Sequence, residues 1–194
     1  MIPFSKTKAP RLVLLGNSSV GKSSLVYRMV HNEFKTDIPP TTAVAHVMLT
    51  LDPSDPFDVQ MWDTAGMERY RSINKIYTRD AVCALLVFDF TQSSSFTSLD
   101  TWKSDFISGD PDPDATIILI GNKSDKNDDF EVELNDAKKW ADDHNIKFFP
   151  VSALDGSGID ELLQELSKCI PRPVDHGEIL FEEAEADTTK KQCC

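Results

Sequence analysis

The chain has 194 residues, enough for one compact domain with a full core and too few for two comfortable ones. It is 40% hydrophobic and 27% charged, which excludes disorder throughout. A formal net charge of -12 makes nucleic acid a poor partner, yet a small anionic ligand could still be held by local backbone N–H groups and a lysine.

Taken in chain order, MIPFSKTKAPR leads into LVLLG, an apolar run too short for a signal-peptide core or a membrane span. An intracellular, reduced chain without a transmembrane segment is therefore expected. The run Arg11 to Leu15 predicts a buried strand, and Lys22 to His31 an amphipathic helix. VAHVMLTL, from Val44, predicts an edge strand and Phe57 to Trp62 a buried one. A strand over Ala81 to Phe90, a helix over Ser95 to Ile107 and a strand over Thr116 to Ile120 follow. A helix over Val132 to His144, a strand over Lys147 to Val151 and a helix over Ile159 to Cys169 complete the series. Such alternation predicts an α/β fold, a mostly parallel sheet wrapped by helices, with ligands at the carboxyl ends of the strands. Trp102, Met29, Met48 and Met61 are read as core packing, as are Cys83 and Cys169. From Pro171 the sequence loses core-quality periodicity, and a flexible tail is expected.

The loops after the strands carry the chemistry. GNSSVGKSS, Gly16-Asn17-Ser18-Ser19-Val20-Gly21-Lys22-Ser23-Ser24, matches GxxxxGK[ST] between a strand and a helix. Its glycines permit consecutive N–H groups to face a phosphate, and the helix start adds its dipole. Lys22 would reach the outer phosphates and the Ser23 hydroxyl would ligate Mg²⁺. The plain alternative is a Gly/Ser turn before a helix. Asp63, closing FDVQMWD, could hold a Mg²⁺-bound water, and Gly66 offers a bare N–H to a terminal phosphate. In GNKSD, Asp125 can pair with the N1–H and exocyclic amine of guanine, which adenine lacks at N1. Asn122 could bond the base edge and hold neighbouring loops, and the stem of Lys123 could lie over the ring. Ser152, Ala153 and Leu154, after the last strand, could offer N–H groups to the guanine carbonyl.

These loops, in this order, resemble the small Ras-like GTPases, and WDTAGMERY, RSINKIYTRDAVCALLVFDFT and SFTSLDTW resemble the Rab branch, over about Lys8 to Ile170. The resemblance implies a P-loop NTPase of Ras-like G-domain type over residues 1–170, with a six-stranded sheet carrying one antiparallel edge strand and a flexible tail over 171–194. It implies a GTP/GDP switch with Mg²⁺ that recruits effectors in vesicle traffic. Phe34 is implied to flank the guanine. Thr41 is implied as the switch threonine closing on Mg²⁺ and the γ-phosphate, with Thr42 beside it leaving some ambiguity. Trp62 and Tyr77 are implied as members of an aromatic effector surface.

Departures from the family pattern are equally informative. Thr42, Ala43 and His46 replace the usual isoleucine, glycine and aromatic, and Leu154 replaces a common lysine. Met67 stands where the family has a water-orienting glutamine; a thioether can neither accept from nor align an attacking water. Slow intrinsic hydrolysis is therefore expected, the alternative being that another group positions the water. A GTP-binding pseudo-GTPase and a P-loop kinase or ATPase are the rival readings, the latter disfavoured by GNKSD. Cys193 and Cys194 in KKQCC resemble a doubly geranylgeranylated tail, which would tether the protein to the cytoplasmic face of intracellular membranes with a cytosolic pool. An exchange factor, a GTPase-activating protein of the TBC class, a GDP-dissociation inhibitor and the prenylation machinery are the partners the resemblance implies.

Overall fold

The computed structural model describes residues 9–39, 41, 45–64 and 77–173. In order, the elements are β1 (Arg11–Leu15), α1 (Lys22–His31), β2 (Ala45–Leu51), β3 (Phe57–Asp63), β4 (Ala81–Asp89), α2 (Ser93–Thr97) and α3 (Leu99–Ile107). They are followed by β5 (Thr116–Asn122), a 3₁₀ turn (Ser124–Asp129), α4 (Leu134–Asp143), β6 (Lys147–Pro150) and α5 (Ile159–Cys169). The strands form one six-stranded sheet in the order β2-β3-β1-β4-β5-β6, in which β2 runs antiparallel to β3 and the other pairs are parallel.

The continuous apolar runs have a simple cause: both faces of the sheet are covered, so both sets of alternating side chains must be apolar. Leu12 and Leu14 of β1 join Leu85 and Val87 of β4 on one face, packed against Leu25 and Met29 of α1 and Leu162 and Leu166 of α5. Val13 and Leu15 point the other way, joining Leu86 and Phe88 and the α3 residues Leu99, Trp102 and Phe106. β1 lies between β3 and β4, where the chain's excursions diverge to either side. The loop leaving its carboxyl end thus opens at a topological switch point.

Differences from the predicted elements have local reasons. The expected helix over Ser95 to Ile107 is two helices meeting at Ser98. There the hydroxyls of Thr97 and Ser98 both donate back to the Ser94 carbonyl, at 3.1 and 2.8 Å, in competition with the helical ladder. The helix expected from Val132 begins at Leu134, because the N–H groups of Glu131 and Val132 both donate to the Phe90 carbonyl. The β4 strand stops at Asp89, whose carboxylate accepts from the Thr91 N–H and caps a turn. Met48 corrects the core assignment: it lies on the solvent side of edge strand β2 and is 41% exposed, whereas Met29 and Met61 are buried. Cys83 is buried and Cys169 half-buried. Among the described residues no helix is long and apolar enough to cross a membrane.

Candidate functional site

The loop after β1 is shaped by close approach. Gly16 has φ +150°, and a Cβ there would lie 2.1 Å from the Val87 carbonyl oxygen on the neighbouring strand. Gly21 has φ +95°, and a Cβ there would lie 2.3 Å from Nδ2 of Asn122. No other residue fits either place without displacing backbone or the asparagine. Ser18 and Ser19 are exposed on the loop, Val20 is buried beneath it, and Ser24 is half-buried in the first turn of α1.

Lys22 is 5% exposed, and its ammonium donates to the carbonyls of Gly16 and Asn17, each at 2.8 Å, so that it spans the mouth of the loop. Burial pulls its pKa down to about 8, against the opposing attraction of Asp63. Asp63, at the end of β3, is pushed upward by the same burial, opposed by hydrogen bonds from Ser23 and Thr41 and by the charge of Lys22. Both groups are thus held in a medium that disfavours their charged forms. An anion beside Lys22 and a cation beside Asp63 would relieve that cost.

The oxygens around Asp63 converge. Ser23 Oγ donates to Asp63 Oδ2 at 2.5 Å and lies 2.7 Å from Thr41 Oγ1, which itself donates to Oδ2 at 3.2 Å. Oδ1 of Asp63 is buried with no hydrogen-bond partner among the described residues. Two hydroxyls and a carboxylate with a spare buried lone pair are a hard, all-oxygen donor set of the kind that takes Mg²⁺ alongside water and phosphate oxygens. Elsewhere among the described residues no cluster of three or more His, Cys, Asp or Glu side chains could hold a metal. The structure brings Thr41 to this cluster; Thr42 and Ala43, like Gly66, Met67, Cys193 and Cys194, lie outside the described residues.

The loops after β5 and β6 meet the first loop through Asn122. Its Nδ2 donates to the Val20 carbonyl at 2.7 Å and its Oδ1 accepts from the Ala153 N–H at 3.2 Å, with the residue 1% exposed. Asp125 accepts from the Ser152 hydroxyl at 2.6 Å. Gly121 lies against the Phe88 and Phe90 rings, where a Cβ would clash. Phe34, just after α1, and Leu154, after β6, both have exposed side chains.

Sequence reasoning missed several members of the site. Asp89, buried at the end of β4, pairs with the Lys123 ammonium at 2.5 Å, and Lys123 also donates to the Ser19 carbonyl. Trp102 is a core residue, as expected, but its Nε1 also donates to Asn17 Oδ1 at 2.7 Å, while Asn17 Nδ2 donates to Ser98 Oγ. Arg28 reaches the loop of Ala153 and Leu154 from α1. In the sequence the available signals were an acid closing an apolar strand and an arginine on an otherwise apolar helix face. On the far side of β3, the Trp62 ring lies between His46 and Tyr77, with centroids 5.3 and 5.1 Å apart, and the Arg11 guanidinium sits 5.2 Å from the indole. The departure at His46 is thus part of one three-ring platform.

The sequence profile of the Ras family matches residues 11–172. The chain is 38% identical over 157 residues to Ras-related protein RABA1c of Arabidopsis thaliana, an alignment covering 80% of this chain and 72% of that one. It is 35% identical to Ras-related protein Rab-4 of Dictyostelium discoideum over 89% of this chain and 84% of the relative. It is also 35% identical to Ras-related protein Rab-7a of Paramecium octaurelia, over 88% and 85% respectively. A six-stranded sheet with one antiparallel edge strand and a phosphate-type loop at its switch point, matched along nearly the whole described chain, places this protein in the Ras family as a Rab-type small GTPase.

Proposed function

We propose that the protein is a guanine-nucleotide switch of vesicle traffic, with its G domain over residues 1–170 and a lipid-anchored tail over 171–194. The observation that carries this reading is the convergence of Ser23, Thr41 and Asp63 oxygens beside the buried Lys22 ammonium. In this reading the loop Gly16 to Ser24 wraps the phosphates with its N–H groups. Lys22 exchanges its two loop carbonyls for outer phosphate oxygens and stabilises the charge that develops on them. Ser23, Thr41 and Asp63 would hold Mg²⁺, which would supply positive charge against the phosphates. Thr41 and Gly66 report the γ-phosphate and order the switch loops when GTP is present. Asp125 reads guanine, Ser152, Ala153 and Leu154 support it, Lys123 lies along the base with its charge held by Asp89, and Phe34 flanks it.

Water attacks the γ-phosphorus in line, the bond to the bridging oxygen breaks, and GDP leaves with the electron pair, so no covalent intermediate forms. Met67 cannot orient that water, so the GTP state is long-lived until an activating protein contributes in trans. The platform of His46, Trp62 and Tyr77 meets effectors, with His46 altering the partner surface. Prenylation of Cys193 and Cys194 provides the membrane attachment at the cytoplasmic face. Two chains give stable anchoring where one gives marginal binding, and the acidic stretch before them adds no attraction to anionic lipid.

The test is single-turnover hydrolysis of preloaded GTP with Mg²⁺, comparing the protein with Met67→Gln. Slow phosphate release, accelerated about tenfold or more by the glutamine, is expected. Equal, brisk release from both would withdraw the account of Met67, and failure to bind guanine nucleotide at all would withdraw the switch.

A further inference from the structure

Arg28 is an arginine buried on the apolar face of α1, 9% exposed, and its bonds go to backbone carbonyls. Its Nε donates to the Ala153 carbonyl at 2.9 Å, one terminal nitrogen donates to the Leu154 carbonyl at 2.6 Å and the other to the Asn32 carbonyl at 2.9 Å. Burying a guanidinium is costly, and a charge-assisted bond from each of its three nitrogens offsets that cost. The planar fork holds the two successive carbonyls of Ala153 and Leu154 at once in one rigid orientation, which the rotatable ammonium of a lysine on its flexible stem does not impose. A Cβ added at Gly156 would lie 3.7 Å from the same guanidinium, so the loop passes close over it.

The peptide unit is planar and trans, so pinning the carbonyls of Ala153 and Leu154 toward α1 turns the N–H groups of Leu154 and Asp155 the opposite way. Both N–H groups donate to one atom, Ser152 Oγ, at 3.1 and 3.2 Å. With its lone pairs so engaged, the Ser152 hydroxyl has its proton free to donate, and it donates to Asp125 Oδ1 at 2.6 Å. We infer that Arg28 is a positioning residue for base selection: through the Ala153 and Leu154 peptides and the Ser152 hydroxyl it fixes the Asp125 carboxylate. This rests on the reading of Asp125 as the guanine-binding carboxylate. It adds a link from α1, the helix that opens with Lys22 and Ser23, to the base at the far end of the ligand.

The test compares GDP with IDP, whose base keeps the N1 proton but lacks the exocyclic amine and so makes one of the two bonds to Asp125. Wild-type protein, Arg28→Lys, Ser152→Ala and the double variant are titrated with both nucleotides by competition against labelled GDP. Arg28→Lys is expected to narrow the GDP-to-IDP preference about fivefold, Ser152→Ala to narrow it similarly, and the double variant to add little, as for residues acting in series. A merely structural role would weaken both nucleotides in proportion and leave the preference unchanged; that result for Arg28→Lys overturns the inference. Should Arg28→Lys not fold, an unchanged preference in Ser152→Ala overturns it alone. No preference in the wild-type protein would instead remove the reading of Asp125, and the inference with it.

Discussion

Replacing Asn122 with alanine tests whether the nucleotide loops are held by one buried tether. The side chain is 1% exposed and makes two bonds, from Nδ2 to the Val20 carbonyl and from the Ala153 N–H to Oδ1, at 2.7 and 3.2 Å. Alanine leaves both groups buried without a partner, at about 1–3 kcal/mol each. The vacated space is roughly that of an amide, enough for about one water between the two orphans, which would recover part of the loss. A net destabilisation of about 2–4 kcal/mol follows, or a melting temperature about 5–15 °C lower for a domain of this size. The measurement is thermal unfolding at saturating GDP together with hydrogen exchange of the Ala153 amide. Because the tether joins the phosphate loop to the base loop, GDP release should quicken and the Ala153 amide should lose protection. A variant melting within about 2 °C of the wild type, with that amide still protected, would refute the reasoning.

Trp102→Phe keeps a ring in the core but removes the donor to Asn17. It should cost about 1–3 kcal/mol and speed GDP release several-fold, as read by unfolding and by labelled-GDP dissociation. Unchanged release would mean that Ser98 alone holds Asn17. Lys22, with a folded-state pKa of about 8 against its ordinary 10.5, binds fewer protons in the folded, nucleotide-free protein than in the unfolded chain between those values. The stability of the nucleotide-free protein should therefore rise with pH across that window, the burial penalty being full below about pH 8. Binding of a polyphosphate favours the ammonium, so GDP affinity should fall as pH rises above about 8, with proton uptake visible when calorimetry is repeated in buffers of different ionisation enthalpy. Affinity that is flat through pH 10 would place the titration elsewhere.

The secondary structure was legible wherever one residue's environment depends on its neighbours in sequence. The bounds of β1, α1 and α5 read directly from apolar runs and periodicity. The loop chemistry was legible for a related reason: Gly16, Gly21, Lys22, Ser23 and Asp63 are spaced by strand and helix geometry, and the structure gathers them. What escaped were side chains whose partners are far along the chain. Ser98 and Trp102 look like helix residues until Asn17 is beside them, 81 and 85 positions away. Asp89 looks like a turn former until Lys123 reaches it. Met48 looked like core because its strand is apolar, but an edge strand has a solvent face, and alternation places Met48 on it.

Those long-range contacts share a pattern that follows from the topology. The loops carrying Lys22, Asp125 and Ser152 leave the carboxyl ends of β1, β5 and β6; the Ser124 N–H, donating to the Val151 carbonyl, ties the last two through the backbone, and side chains tie them to the first. Four polar side chains, three of them buried and Lys123 half-buried, supply that rigidity: Trp102 holds Asn17, Asn122 joins Val20 to Ala153, Lys123 joins Asp89 to Ser19, and Arg28 joins α1 to Ala153 and Leu154. Three of the four end on the loop Gly16 to Ser24 and the fourth on the helix that this loop begins. A displacement of the phosphate loop must then strain the base loops, and a loosened base loop must release the phosphates sooner. Substitutions in these tethers should therefore couple, with combined effects departing from the sum of the single ones, whereas substitutions on the solvent face of β2 should not.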